Sequence, residues 1–220
     1  MFSGLEPPDV TDLDRMRQVS IYPSGAIVFI EGEEPRGVYC VCAGRVKLST
    51  GSSDGRTVIV GVATVGDVLG IRALLSGKPH DLMAETLEPT QLSFIKRDDF
   101  LGFLSRHGNV SLRLAQRLSD ELYEAYRGIR DVALKRSCDR LAELLLRLCE
   151  THGEPVAEGI KLRINLSQEE LAEMIGSTRR TLTRALTKLR QLGIVESRRR
   201  AMIIRDRAAL EHSLSSERLF

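Results

Sequence analysis

The 220-residue sequence is 42% hydrophobic and 28% charged with a formal net charge of +2, the balance of an ordinary soluble protein with room for two modest domains. No apolar run approaches the ~20 residues that span a bilayer, and the start lacks the charged, apolar and small-residue order of a secretory signal. The expectation is a cytoplasmic protein with no membrane partner; the four cysteines, Cys40, Cys42, Cys138 and Cys149, also lack the C-x-x-C pairing of a structural zinc site.

From Ile21 to about Lys96 the chain reads as short β-branched runs punctuated by glycine. Examples are Ile27-Val28-Phe29-Ile30 before Glu31-Gly32, Val38-Tyr39-Cys40-Val41-Cys42 before Gly44, Val46-Lys47-Leu48 and Thr57-Val58-Ile59-Val60. Many short strands with glycine turns predict a β-sandwich or β-roll. Cys40 and Cys42 fall on one face of a strand, where i, i+2 geometry disfavours a mutual disulfide and makes ordinary small residues the better reading than a redox pair. Gly66-Asp67-Val68-Leu69-Gly70-Ile71-Arg72-Ala73-Leu74-Leu75 reads as a turn entering a short helix.

Residues from about Asn109 to Arg136 lack proline, and Ala115, Leu118, Leu122, Ala125, Ile129 and Val132 recur at spacings of three and four. That pattern predicts a long helix whose seam packs against a parallel copy. The same stripe could instead cover the chain's own β-roll, and both uses stay open. Ser137-Cys138-Asp139 follows as a hinge, with Asp139 expected to cap a helix through Leu141, Leu144, Leu145 and Leu148.

The stretch from Leu166 to Asp206 carries the strongest functional signal. Ser167 and Glu170 form a Ser-x-x-Glu capping box ahead of Leu171, Ala172, Met174 and Ile175, and the helix is expected to stop at Gly176. Ser177 or Thr178 then caps a second helix to about Leu192, closed by Gly193. Leu182, Leu186 and Leu189 share one face of it, while Arg180, Arg184, Lys188 and Gln191 share the other. If the apolar stripe docks the helix, the basic stripe faces outward, where it fits a DNA major groove. Ile194-Val195-Glu196-Ser197, the tip Arg198-Arg199-Arg200 and Ala201-Met202-Ile203-Ile204 read as a basic hairpin beside the phosphates. Nine Lys or Arg against one Glu lie between Ser177 and Arg205, and residues 136–220 carry 16 basic against 12 acidic residues where residues 1–135 carry 16 against 18. The polyanionic partner therefore belongs to the C-terminal part. The expected DNA-contacting set is Ser167, Ser177, Thr178, Arg179, Arg180, Thr181, Arg184, Lys188, Arg198, Arg199 and Arg200.

Taken together these parts resemble the CRP/FNR family of bacterial transcription regulators over nearly the whole chain. Pro23-x-Gly25 with Phe29-x-Glu31-Gly32-Glu33, Tyr39 through Gly44-Arg45-Val46-Lys47-Leu48, and Gly66-Asp67 with Gly70 are similar to that family's cyclic-nucleotide-binding β-roll. Gly193-Ile194-Val195 after the basic helix is similar to its winged helix-turn-helix. The resemblance implies an α+β protein: a jelly-roll-like sensor over residues 1–108, a dimerisation helix over 109–136 and a winged helix-turn-helix over 137–220. It also implies a homodimer on a pseudo-palindromic duplex, contact with RNA polymerase, no catalytic activity, and an effector in the β-roll that repositions the DNA-binding domains through the long helix.

The effector cassette departs from the family. Cyclic-AMP-responding members carry a Glu for the ribose hydroxyl and an Arg-Ser pair for the cyclic phosphate, and the matching positions here are Ile71, His80 and Asp81. Ile71 accepts no hydrogen bond, and Asp81 would repel a phosphodiester. A lone loop histidine such as His80 is expected to be solvated rather than to receive an anion. The helix positions that reach the base in those relatives fall near Ala125 and Tyr126. The pocket assigned by resemblance is thus Gly70, Ile71, Arg72, His80, Asp81 and Tyr126, with cyclic AMP disfavoured and a neutral, apolar or cationic effector favoured. No cysteine precedes Cys40, unlike the iron–sulfur sensors of the family. Two rivals remain: a constitutive DNA binder with a degenerate sensor, and a cupin-like metal enzyme, which the scattered His80, His107, His152 and His212 do not favour.

Overall fold

The structure, a computed structural model, describes residues 7–164, 166–198 and 201–213. Its first elements are α1 (Pro7–Met16), β1 (Arg17–Tyr22), β2 (Ile27–Phe29), β3 (Gly37–Ala43), β4 (Val46–Gly51), β5 (Thr57–Ala63), β6 (Val68–Leu69), α2 (Ile71–Ser76), β7 (Met83–Thr86), β8 (Thr90–Lys96) and α3 (Arg97–Arg106). The strands form two antiparallel sheets, ordered β1-β8-β3-β6 and β2-β7-β4-β5. This is the β-roll that the glycine-punctuated runs predict.

Strand β3 shows why the roll needs helices on one side. Its side chains alternate with period two between two cores. Val38 and Cys40 join Ile71, Leu74, Ile95, Phe100 and Phe103 on the helix side, whereas Val41 joins Phe29, Val46, Leu69, Ala84 and Leu92 inside the roll. Cys40 is therefore a core residue, and burial pushes its thiol up to about 12, far from the reactive range. Cys42 is half-buried, and all four cysteines are free.

The long helix α4 (Gly108–Leu134) closes the helix-side core with Val110 and Leu114, both buried, and half-buried Leu118 packs against the same cluster. Beyond that point its apolar residues are largely exposed: Leu122 is 55% exposed, Ile129 67% and Val132 58%. The stripe thus divides, its first part serving the roll. The chain separates into two compact units, Met1–Glu124 and Ala125–Phe220, and α4 begins in one and ends in the other.

The second unit contains α5 (Ser137–His152), β9 (Gly153–Val156), β10 (Gly159–Leu162), α6 (Gln168–Met174), α7 (Arg179–Gln191), β11 (Val195–Arg198), β12 (Ala201–Ile204) and α8 (Arg207–Ser213). Leu141, Leu144, Leu145 and Leu148 are buried on the face of α5 that meets α7 and α8. The β11–β12 hairpin does not stand alone. It extends a four-stranded sheet ordered β11-β12-β10-β9, and the β9–β10 hairpin has no counterpart in the sequence reading. Asp139 also differs from expectation: Arg136 occupies the N-cap of α5 without a side-chain cap, and Asp139 sits in the first turn, 3.2 Å from Arg136. There its charge still complements the helix dipole.

His80 is not solvated. It is 5% exposed, its ring stacks on Phe29 at 3.9 Å with an 11° interplanar angle, and its backbone is tied to Glu33 and Gly32 by two 2.8 Å hydrogen bonds. Desolvation holds its pKa below the ordinary 6.5, although Glu33 and Asp81 pull the other way. The unfolded chain therefore takes up this proton at a higher pH than the folded chain. The stabilisation is fully present above about pH 6.5 and is lost as pH falls through the lower folded pKa. Thermal melts between about pH 7 and pH 5 should show the wild type losing stability more steeply than His80→Phe, which keeps a ring over Phe29 but cannot titrate. Identical slopes in the two proteins would contradict this role for His80.

Candidate nucleic-acid interface and effector cassette

Local chemistry fixes the ends of both helices in the α6–α7 unit. Ser167 Oγ accepts from the Glu170 amide at 3.1 Å while the Glu170 carboxylate accepts from the Ser167 amide at 2.9 Å, the reciprocal capping box. Gly176 takes φ 58° in the turn, which an L side chain adopts only with strain, and the Ser177 amide reaches back to Ala172 O at 2.9 Å. Of the two cap candidates the structure selects Thr178, whose Oγ1 accepts from the Thr181 amide at 3.3 Å. The two helices are joined by a bond that sequence reading missed, Thr183 Oγ1 to Gln168 Oε1 at 3.0 Å.

The docking face of α7 is Leu182, Ala185, Leu186 and Leu189, all buried. Arg179, Arg180, Thr181 and Arg184 are exposed on the other side, and Lys188 is half-buried. Arg179 lies 3.9 Å from Glu169, a loose pair in water. Arg180 and Arg184 have no ion-pair partner among the described residues, so both guanidiniums are available to an incoming ligand. The basic count of the following hairpin needs one correction. Arg205 pairs with Glu196 across β11 and β12 and is not a free cation. Arg198 ends β11, with its side chain outside the described residues, and Arg199 and Arg200 lie outside them altogether.

Arg140 is a residue the sequence reading missed. It half-buries its guanidinium against the α6–α7 turn, with Nε 2.8 Å from Ile175 O. No sequence period signals it, because its partners are main-chain carbonyls 35 and 36 residues away.

Gly70, Ile71, Arg72, His80 and Asp81 of the cassette lie in the first unit. Gly70 has φ 78° and packs against His80, so close that a Cβ there would lie 2.9 Å from His80 Cε1. Ile71 turns into the helix-side core at 5% exposure. Arg72 and Asp81 form an exposed ion pair at 3.2 Å, which neutralises the carboxylate that the sequence sets in place of a phosphate-binding hydroxyl. Inside the roll, Leu48 lies opposite Gly61 on β5 and Ala84 on β7. The β4–β5 register shifts between Leu48 and Ser49, and Ser49 lies opposite buried Ile59. Ser49 Oγ is buried without a hydrogen-bond partner among the described residues. Tyr126 and Ala125 are exposed on α4 in the second unit, and Ala115 is exposed on the same helix in the first.

Comparison with known proteins agrees with both halves. The cyclic nucleotide-binding domain model matches residues 19–107, and the Crp-like helix-turn-helix domain model matches residues 139–213. The chain is 29% identical over 215 residues to a global nitrogen regulator of Synechocystis sp., covering 97% of this chain and 92% of the relative. It is 25% identical over 206 residues to a CRP-like cAMP-activated global transcriptional regulator of Mycobacterium tuberculosis, covering 94% and 92%. Among solved structures it is similar to FixK2 from Bradyrhizobium japonicum, with a TM-score of 0.78 and 27% identity over 89% of this chain and 96% of that one. With a nucleotide-binding-type β-roll and a Crp-like helix-turn-helix in one chain, and relatives aligned over nearly its full length, the protein belongs to the CRP/FNR family of transcription regulators.

Proposed function

We propose that this regulator acts as a homodimer on a pseudo-palindromic duplex, controlled by an effector other than cyclic AMP. The observation that carries the DNA half is α7: a helix docked by four buried residues whose outer face presents Arg180 and Arg184 without ion-pair partners among the described residues. Unpaired guanidiniums on an exposed helix are suited to bidentate bonds with guanine O6 and N7. Family members often have Glu where this chain has Arg180; the substitution replaces a cytosine acceptor with a guanine or phosphate donor and implies a changed half-site. Dimerisation is supported by the uncovered apolar residues of α4, which carry the period of a helix-to-helix seam. Contact with RNA polymerase is an expectation from the family relationship alone.

The effector half rests on the cassette's charge balance. A cyclic nucleotide brings an anion and a ribose diol. Here Ile71 is in the core, His80 is buried with a depressed pKa, and the Arg72 guanidinium is paired with Asp81. None of the three offers what the ligand needs. The Ser49 hydroxyl, buried without a hydrogen-bond partner among the described residues, suits a ligand that brings one hydrogen-bonding group. The relative described as cAMP-activated is therefore not a guide to this chain's ligand.

Fluorescence anisotropy on duplexes selected from a random pool, at fixed salt, tests both halves. Arg180→Ala and Arg184→Ala should each weaken binding by about 1–3 kcal/mol and relax the preference at one base position. Unchanged affinity and unchanged selectivity would remove that residue from the interface. Cyclic AMP should leave wild-type DNA affinity unaltered, whereas a coupling of about 1–3 kcal/mol would overturn the effector reading. A protein that binds its site tightly with every small molecule tested lacking effect would favour constitutive action.

A further inference from the structure

A single guanidinium ties together the ends of two helices in the second unit. Arg140, in the first turn of α5, donates from Nη1 to Lys135 O at 2.7 Å and Val132 O at 3.4 Å, where α4 ends. Its Nε and Nη2 donate to Ile175 O at 2.8 Å and Gly176 O at 3.3 Å, where α6 ends, and Nη2 also lies 3.4 Å from Ser137 Oγ. The last carbonyls of a helix lack partners within it and carry the negative end of its dipole. Two such ends converge here on one cation, and only a planar fork of five N–H groups can bond both. The two helix ends also come within reach of each other: a Cβ on Gly176 would lie at ordinary van der Waals distance, 3.9 Å, from Val132 Cγ2. The same corner is braced by Lys135, which reaches Glu143 at 2.6 Å and Asp131 at 3.0 Å.

We propose that Arg140 is the positioning residue that sets the recognition helix α7 at a fixed orientation to the C-terminal end of α4. Gly176 leads directly into the Thr178 cap of α7, so an arginine holding Gly176 O holds the start of the recognition helix. Val132, whose carbonyl is held by the same arginine, belongs to the exposed seam of α4. The clamp therefore links the surface that would face a second copy to the surface that would face DNA. Arg140 touches no base in this scheme. It determines whether two recognition helices present themselves at one separation.

The inference rests on the dimer reading above, and the test separates the two. Full-length wild type, Arg140→Gln and Arg140→Lys would be titrated by anisotropy against a duplex with one selected half-site, and against a series with two half-sites at increasing separation. Wild type should show a sharp optimum near one helical repeat, about 10 base pairs, or a multiple of it. Arg140→Gln should bind the single half-site within twofold of wild type, yet lose at least tenfold at the optimal separation, with a flattened profile. Arg140→Lys, whose ammonium can reach one helix end but not both, should also fail to restore the optimum. A wild-type profile in Arg140→Gln overturns the proposal, and so does loss of half-site binding in parallel with paired-site binding in both variants, which would mark a purely structural residue. A flat profile in the wild type overturns the dimer reading itself, and the positioning role with it, without recourse to any variant.

Discussion

The apolar stripe of α4 is the constraint on which the rest of the molecule depends. A helix with this period needs a partner along its whole length. Val110 and Leu114 find one in the helix-side core, against Phe100 and Phe103. Leu122, Ile129 and Val132 do not, and each leaves more than half of its surface in water. Burial of apolar area is worth roughly 25 cal/mol per Å², so several large side chains on one face form a substantial driving force toward association. One element thereby closes the β-roll, carries exposed apolar side chains beyond it, and ends on the carbonyls that Arg140 binds.

The DNA-facing part follows different physics. Its helices are placed by short-range hydrogen bonds at Ser167, Glu170 and Thr178 and by the left-handed Gly176, so its geometry is set by a few neighbouring residues. Its basic residues differ in what they are bonded to. Arg205 and Arg190 spend their donors on Glu196 and Thr187, whereas Arg180 and Arg184 have no such partner among the described residues. Basic residues in a run are therefore not equivalent, and a count of charges overstates the number that can meet a phosphate or a base.

Features whose partners are near in sequence were legible beforehand. The capping box, the turn glycine, the faces of α7 and the alternation of the strands are all encoded within a few residues. What escaped depends on distant partners. The β9–β10 hairpin was concealed by Pro155, Glu154 and Glu158, and it is held by pairing β10 with β12, some forty residues on. His80 reads as a solvated loop residue until Phe29, 51 positions away, is stacked on it. Ile71 aligns with a ligand-binding position of the family yet enters the core, and Asp81 is answered by Arg72 across the turn. Arg140 has no pattern at all, because carbonyls are present at every residue and only the fold selects which ones it meets.

Sedimentation equilibrium of the purified protein over a range of concentrations is the most direct measurement, run beside a variant carrying Leu122→Glu and Ile129→Glu. A seam along α4 predicts a wild-type species of twice the 24.5 kDa chain mass and a variant that sediments as a folded single chain. A wild type that remains a single chain throughout, or a variant that dimerises as tightly as the wild type, would contradict it.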